Sequence, residues 1–334
     1  MADMLQGLNA VSDACSLNSL ASEIRNGVIE NGQVCTHMSE KSADCCPYPW
    51  LICPAEHGLP RDELEMDRID MAHEKYSLLL HKRRYLAPIS NDPQQILDLG
   101  TGTGIWAMDI ADTFPSAQVT GVDIAPIQPT LVPRNCHFEV DDIEQPWTYP
   151  ENSFDFIFAR DIILSIRDYP SLINEAYAHC KPGGYVEFQS IYGRLSCDDG
   201  SLPADGSFFE YDRHLRSAAR AFGTPLEDPE NFRRWFEEAG FEAVVEQRFK
   251  MPTNTWAKGR RMKMVGLFER ENFLKNLEGM SLRVFQKGLG WTPQETSILL
   301  ARVRNEIRNL KYHSYYGFWV VYGRKPMPSR TSSF

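Results

Sequence analysis

Gln95-Ile96-Leu97-Asp98-Leu99-Gly100-Thr101-Gly102-Thr103-Gly104 is an apolar strand running into glycines at alternate positions, and residues 104–113 read as the helix that follows. Glycine permits a tight turn and lets a ligand come close to the backbone. The helix after it presents unpaired N–H groups and a partial positive charge. In open α/β sheets, ligands bind beyond the carboxyl ends of strands at such turns. The spacing is Gly-x-Gly-x-Gly with Asp98 ahead of it, not the Gly-x-Gly-x-x-Gly of dinucleotide sites. A pyrophosphate is poorly matched to a carboxylate there, whereas a ligand bearing an ammonium group suits it. This counts against a nicotinamide-dependent oxidoreductase. No Lys-Ser or Lys-Thr pair follows, which counts against a P-loop. Alone, the loop is also what a purely structural turn requires.

Outward from the loop, strands and helices alternate. Residues 118–123, 137–140, 154–159 and 185–191 read as further strands, and residues 169–180 as a helix stopped by Lys181-Pro182-Gly183-Gly184. Alternation of this kind predicts a doubly wound, mostly parallel α/β sheet with right-handed crossovers. Residues 61–84, 205–222 and 229–239 read as helices. Two closing strands, 241–249 and 315–322, suggest an antiparallel edge hairpin. The mostly helical stretch 251–311 between them, with helices at 261–276 and 293–310, is expected to form a cap.

Acidic residues end the strands beside the loop. Asp123 ends the second strand, where a carboxylate can accept both hydroxyls of a ribose. Its structural alternative is an Asx turn or helix cap before Pro126. Asp141 and Asp142 follow the third strand. One of the two, Asp142 in preference to Asp141, could accept from an adenine amino group while the Ile143 N–H donates to a ring nitrogen; a pair of helix-capping acids is the alternative. Three acidic strand ends in order are harder to assign to turns alone.

The net charge of −10 over 334 residues argues against direct nucleic-acid binding. No stretch is long enough to span a membrane, and no signal layout opens the chain, so it is expected to be cytoplasmic, or nuclear if His81-Lys82-Arg83-Arg84 is a localisation signal rather than a solvated helix end. In that compartment the eight cysteines are expected to be thiols. Cys15, Cys35, Cys45, Cys46 and Cys53, with His37 and His57 nearby, fit no usual zinc spacing, and no metal is expected. Residues 1–45 are polar and without periodicity, which predicts a disordered tail available to protein partners. Residues 46–93 are expected to form an arm and helix, 94–326 the main domain with its 251–311 insertion, and 327–334 a flexible end.

The stretch from Ile96 to Ala107 resembles the first motif of class I S-adenosylmethionine-dependent methyltransferases and is similar to the fungal LaeA-like group tied to secondary metabolism. Gly121-Val122-Asp123-Ile124-Ala125-Pro126-Ile127-Gln128-Pro129, Phe138-Glu139-Val140-Asp141-Asp142, Pro146-Trp147 and Lys181-Pro182-Gly183-Gly184-Tyr185-Val186-Glu187 carry the same likeness. So do Leu289-Gly290-Trp291-Thr292-Pro293 and Val321-Tyr322-Gly323-Arg324-Lys325-Pro326. The resemblance runs from about residue 60 to 326 and does not reach the first 45 residues. It implies a seven-stranded Rossmann-like sheet with an antiparallel last strand and S-adenosyl-L-methionine as cofactor. By it, Asp98, Gly100, Gly102 and Gly104, with Thr101 among them, hold the methionine portion. Asp123, next to Ile124, holds the ribose, and Asp142 with Ile143 the adenine. Phe158-Ala159-Arg160-Asp161 departs from the Asn/Asp-Pro-Pro-Tyr/Phe motif that some relatives place after strand four, so the accepting atom stays open.

A sulfonium methyl group is already activated, so positioning supplies most of the acceleration and a base is needed only for an acceptor that loses a proton early. Candidate catalytic or orienting residues are His73, Tyr76, Arg160, Asp161, Tyr211 and His214. Arg160 follows a strand end, near the methyl group or the cofactor carboxylate, or else in a salt bridge. His73 and Tyr76 lie one turn apart on the helix before the sheet, either over the cofactor or in ordinary packing. His214 lies after strand five, where substrate contacts are expected. Met251, Trp256, Met262, Met264, Phe268, Phe273, Met280 and Phe285 in the insertion are core residues or part of an apolar substrate pocket. The expected substrate is a small, fairly apolar secondary metabolite methylated on O or N; the alternative is a nuclear regulator acting through partners.

Overall fold

The computed structural model describes residues 28–30, 33–35 and 63–328. Two short strands, β1 (Val28–Glu30) and β2 (Gln33–Cys35), pair antiparallel with Val28 opposite Cys35. This pairing was not anticipated from the sequence, although Asn31-Gly32 between the strands is a strong hairpin signal. The remainder of the 1–45 tail, the arm before residue 63 and the chain end from residue 329 lie outside the described residues. Those regions hold the cysteines and histidines weighed against a zinc spacing, other than Cys35.

After α1 (Glu63–Leu79) come β3 (Gln95–Leu99), α2 (Ile105–Thr113), β4 (Gln118–Asp123), β5 (Cys136–Val140) and β6 (Phe154–Arg160). Then follow α3 (Tyr169–His179), β7 (Cys180–Ser196), α4 (Ser207–Phe222), a 3-10 turn (Asp228–Asn231) and α5 (Phe232–Ala239). The chain closes with β8 (Glu242–Pro252), α6 (Arg260–Leu289), α7 (Pro293–Arg308) and β9 (Tyr315–Arg324). The seven-stranded sheet has the order β5-β4-β3-β6-β7-β9-β8. The strands from β5 to β7 run parallel, and β9 runs antiparallel to both β7 and β8. The reversal of order beside β3 places the carboxyl ends of β3, β4 and β6 around one crevice, where such sheets bind ligands.

Alternating side chains of β6 explain how the sheet is covered on both faces. Phe156 and Phe158 point to the α2 side, where Trp106 stacks on Phe158 with ring centroids 3.8 Å apart. Ile157 and Ala159 point to the other side, against α3 and α5 through Leu172, Phe232 and Phe236. A third cluster joins α1, α4, α6 and α7 to β9 through residues such as Tyr76, Phe208, Phe285 and Phe318. The helical insertion is therefore a cap sharing its core with the sheet.

Element ends differ from the sequence expectation where tertiary contacts intervene. The helix expected to stop at Asn276 continues to Leu289 as α6. Gly279 lowers helix propensity there, but Leu277 before it and Ser281, Val284 and Phe285 after it are buried and hold the helix. The first helix ends at Leu79 rather than 84, because His81 and Lys82 take positive φ values of 57° and 65°. Arg84 turns inward, donating to Asp109 Oδ2 (2.6 Å) and Ser77 Oγ (2.5 Å). The helix read at 169–180 ends at His179, just before Lys181-Pro182-Gly183-Gly184, but that segment already belongs to β7, which starts at Cys180 rather than Tyr185 and pairs irregularly with β6 there.

Candidate active site

The cavity at the strand ends measures about 210 Å³ and is lined by the glycine loop, the ends of β4, β5 and β6, and one face of α1. The loop conformation is what its glycines allow. Gly100 and Gly104 have φ of 65° and 80°. A Cβ on Gly100 would lie 2.4 Å from Ile162, and one on Gly104 2.2 Å from the Phe138 ring. Gly100 lines the cavity, whereas Gly104 caps α2 and makes room for β5 without lining it.

Asp98 is almost fully buried beneath the loop and accepts from Thr101 Oγ1 at 2.6 Å. Burial pushes its carboxyl up to about 7, although the Thr101 hydroxyl and the Arg160 charge favour the ionised form. A cationic ligand would complete that ionisation. Asp123 accepts from Gly102 N–H (2.8 Å) and Ala125 N–H (2.9 Å). The Asx turn considered for it is thus present, in a residue that also lines the cavity. Gln128 donates to the Gly102 and Ala125 carbonyls at 2.6 and 2.9 Å, tying the segment after β4 to the loop. Asp142 caps the turn after β5 through Glu144 N–H at 3.0 Å, and with Ile124 and Ile143 it lines the same cavity.

Helix α1 closes the cavity from above. Glu65, Ile69, Ala72, His73 and Tyr76 recur at the spacing of one helical face and line it. Asp70 accepts from Thr103 Oγ1 at 2.7 Å, which ties the helix to the glycine loop. Arg160 Nη2 donates to His73 Nδ1 at 3.0 Å, so the other ring nitrogen, Nε2, carries the proton toward Asp109 Oδ2 at 2.9 Å. Burial holds the His73 imidazole below its ordinary value against the pull of Asp109, and Arg160 reinforces the effect. His73 is therefore a neutral link that orients Arg160. Tyr76 donates its hydroxyl to Asp161 Oδ2 and stacks on Phe318 with centroids 4.5 Å apart. The Arg160 guanidinium lies 5.2 Å from the Tyr76 ring centre.

Of the residues singled out in the sequence, the cavity gathers Asp98, Gly100, Thr101, Gly102, Asp123, Ile124, Asp142, Ile143, Arg160, Asp161, His73 and Tyr76. It does not gather His214, whose ring packs on Trp291 with centroids 4.7 Å apart and lines neither cavity described here. Tyr211, on α4, is buried against the cap, hydrogen-bonded to Ser281 Oγ at 2.9 Å. Arg68, Asn272 and Asn276 were not picked out beforehand. They line a second cavity of about 110 Å³ that shares Glu65, Arg68 and Asp161 with the first. The i, i+3, i+4 recurrence along α1 was the available signal for Arg68; Asn276 had none. Among the described residues, no group of three or more His, Cys, Asp or Glu side chains is arranged to hold a metal ion, and no helix is long and apolar enough to cross a membrane.

Residues 71–247 match the methyltransferase-domain family. The chain belongs to this family. It is an S-adenosylmethionine-dependent methyltransferase, similar to the fungal LaeA-like group. Methyltransferase pytC of Aspergillus terreus is 38% identical over 81% of this chain and 83% of its own length. Protein-methionine methyltransferase laeA of Emericella nidulans is 31% identical over 80% of this chain and 72% of its own. Among solved structures, phosphoethanolamine N-methyltransferase 2 of Haemonchus contortus, bound to phosphomonomethylethanolamine and S-adenosylhomocysteine, matches at 22% identity with a TM-score of 0.47. The match covers 76% of this chain and 52% of that one.

Proposed function

We propose that this methyltransferase places S-adenosylmethionine in the first cavity and a small, fairly apolar metabolite of a fungal biosynthetic pathway in the second. The observation that carries this reading is the contact between the two cavities. They meet at Glu65, Arg68 and Asp161, beside the glycine loop and Arg160. The cofactor, when bound, supplies a methyl group on a sulfonium. Asp98 and the loop backbone hold its methionine end, with Arg160 beside its carboxylate. Asp123 and Ile124 hold the ribose, and Asp142 and Ile143 the adenine. His73 orients Arg160 through their shared hydrogen bond. Ile163, Leu164, Leu215, Leu226, Phe273 and Met280 give the second cavity an apolar wall suited to an apolar acceptor.

Calorimetry on Asp123→Ala tests the cofactor site. Affinity for S-adenosylmethionine is expected to fall beyond detection while near-ultraviolet circular dichroism shows a folded chain; unchanged affinity overturns the assignment. Metabolite profiles with and without the gene test the acceptor, through the appearance of paired masses one methylene apart.

A second reading is a regulator of secondary metabolism acting through protein partners, supported by relatives of that name at 31–33% identity. Deletion that alters many metabolites without removing a methylated one, together with recovery of nuclear partners, favours it.

A further inference from the structure

Most polar groups on the wall of the second cavity are satisfied inside the protein. Arg68 donates to both oxygens of Glu65 at 2.7 Å each and to Asn272 Oδ1 at 2.9 Å. Glu269 accepts from Lys75 Nζ at 2.7 Å. Asp212 accepts from Leu195 N–H at 2.8 Å and from Arg216 Nε at 3.0 Å. Two oxygens stand apart: Asp161 Oδ1 and Asn276 Oδ1 are buried and have no hydrogen-bond partner. Both residues line this cavity, and Asp161 also lines the first one. Unpaired buried acceptors are costly and rare, so a group that brings donors to them is favoured.

Asp161 is held for this placement. Its backbone is in the left-handed region, with φ of 56°, and its N–H is fixed on the Gln189 carbonyl at 2.8 Å. Strained backbone of this sort persists where the surroundings over-determine it, as at functional sites. Its Oδ2 is taken by the Tyr76 hydroxyl, which leaves Oδ1 as the free face. Burial, reinforced by Asp161 and Glu269, holds the Tyr76 hydroxyl well above its usual value, so it remains a donor.

Resting on the two-cavity reading above, we propose that Asp161 Oδ1 takes the proton of the methyl acceptor. The acceptor then presents an O–H or N–H on an apolar body, with a second polar group at Asn276. In the transfer the acceptor's lone pair forms the new bond to the methyl carbon, the carbon–sulfur bond returns its pair to sulfur, and the acceptor's proton passes to Asp161 Oδ1. The sulfonium charge and the carboxylate charge disappear together, a step favoured where the oxygen is buried from solvent. A thioether has no proton to give and leaves Asp161 unused. Tyr76 is a positioning residue in this scheme, and Asn276 selects the second polar group, its amide able to present either end.

The test uses the full chain saturated with S-adenosylhomocysteine and follows binding by calorimetry. The probes share one ring system: 2-naphthol, 2-naphthylamine and 2-(methylthio)naphthalene. The hydroxyl or amine probe is expected to bind about tenfold or more tightly than the thioether, the size of one hydrogen bond to a charged group. Asp161→Asn, which keeps an acceptor for Tyr76 but turns the free face into a donor, is expected to erase that preference while S-adenosylhomocysteine still binds. Asn276→Leu is expected to erase an advantage of 2,6-dihydroxynaphthalene over 2-naphthol. Equal binding of the thioether, a preference that survives Asp161→Asn, no dihydroxy advantage in the unaltered chain, or no binding by any probe overturns the inference. Failure of the unaltered chain to bind S-adenosylhomocysteine would instead overturn the cofactor site.

Discussion

Asp98 shows how burial shifts the ionisation of one side chain at the strand ends, where we propose that a charged ligand binds. Its carboxyl, pushed by burial from an ordinary value of 3.8 up to about 7, is largely protonated in the free protein below neutrality. The folded state therefore binds a proton that the unfolded chain has released between those values. On that account, Asp98 contributes less stability as pH rises through this window, and its contribution levels off above about 7. A ligand ammonium needs the ionised form, so binding releases the proton and affinity is expected to rise from pH 6 to 8, by at most about tenfold per unit. Calorimetry in two buffers of different ionisation enthalpy checks this by counting the proton. Asp98→Asn is expected to flatten the pH dependence. Asp98 and Asp123 were readable in the sequence because a strand, a glycine run and a strand-end acid are local patterns. The states of His73 and Arg160 were not, since their hydrogen bond joins residues 87 positions apart.

At the scale of elements, α1 carries the join between sheet and cap. One face covers the first cavity, and a neighbouring position, Lys75, reaches α6. The Lys75–Glu269 pair is buried at both ends, with nitrogen and oxygen 2.7 Å apart. Burial raises the Glu269 carboxyl, and Lys75 opposes that shift. Removing one partner strands a buried charge. Lys75→Met is expected to destabilise the fold by about 3–5 kcal/mol, and adding Glu269→Leu to recover much of that loss. Urea unfolding of the single and double variants measures the difference; equal stability of the two would show that the charges do not depend on each other. Leu64, Ile69, Met71, Tyr76 and Leu79 give only an imperfect apolar stripe along this helix in the sequence, and the reason is the same. A helix that spans a sheet cavity on one side and a buried ion pair on another does not carry a single apolar face.

At the scale of the whole molecule, chain order and spatial order part company at the carboxyl end. β9, the last strand in the chain, sits inside the sheet between β7 and β8. A chain ending at residue 310 loses that strand, leaves β7 and β8 without a neighbour on their facing sides, and is expected not to unfold cooperatively in urea. A chain ending at residue 328 keeps β9 and is expected to unfold as the full chain does. Strands, most helices and the acidic strand ends were set by the sequence itself, because hydrophobic period, glycine placement and the end of a strand are properties of a few adjacent residues. The second cavity was decided by tertiary structure alone. It is built where α1, α4, α6 and β7 meet, and its character depends on which polar atoms find partners from distant parts of the chain. Arg68, Glu269 and Asp212 find them; Asp161 Oδ1 and Asn276 Oδ1 do not. Hydrogen-bond satisfaction belongs to pairs in space, so no stretch of sequence records it.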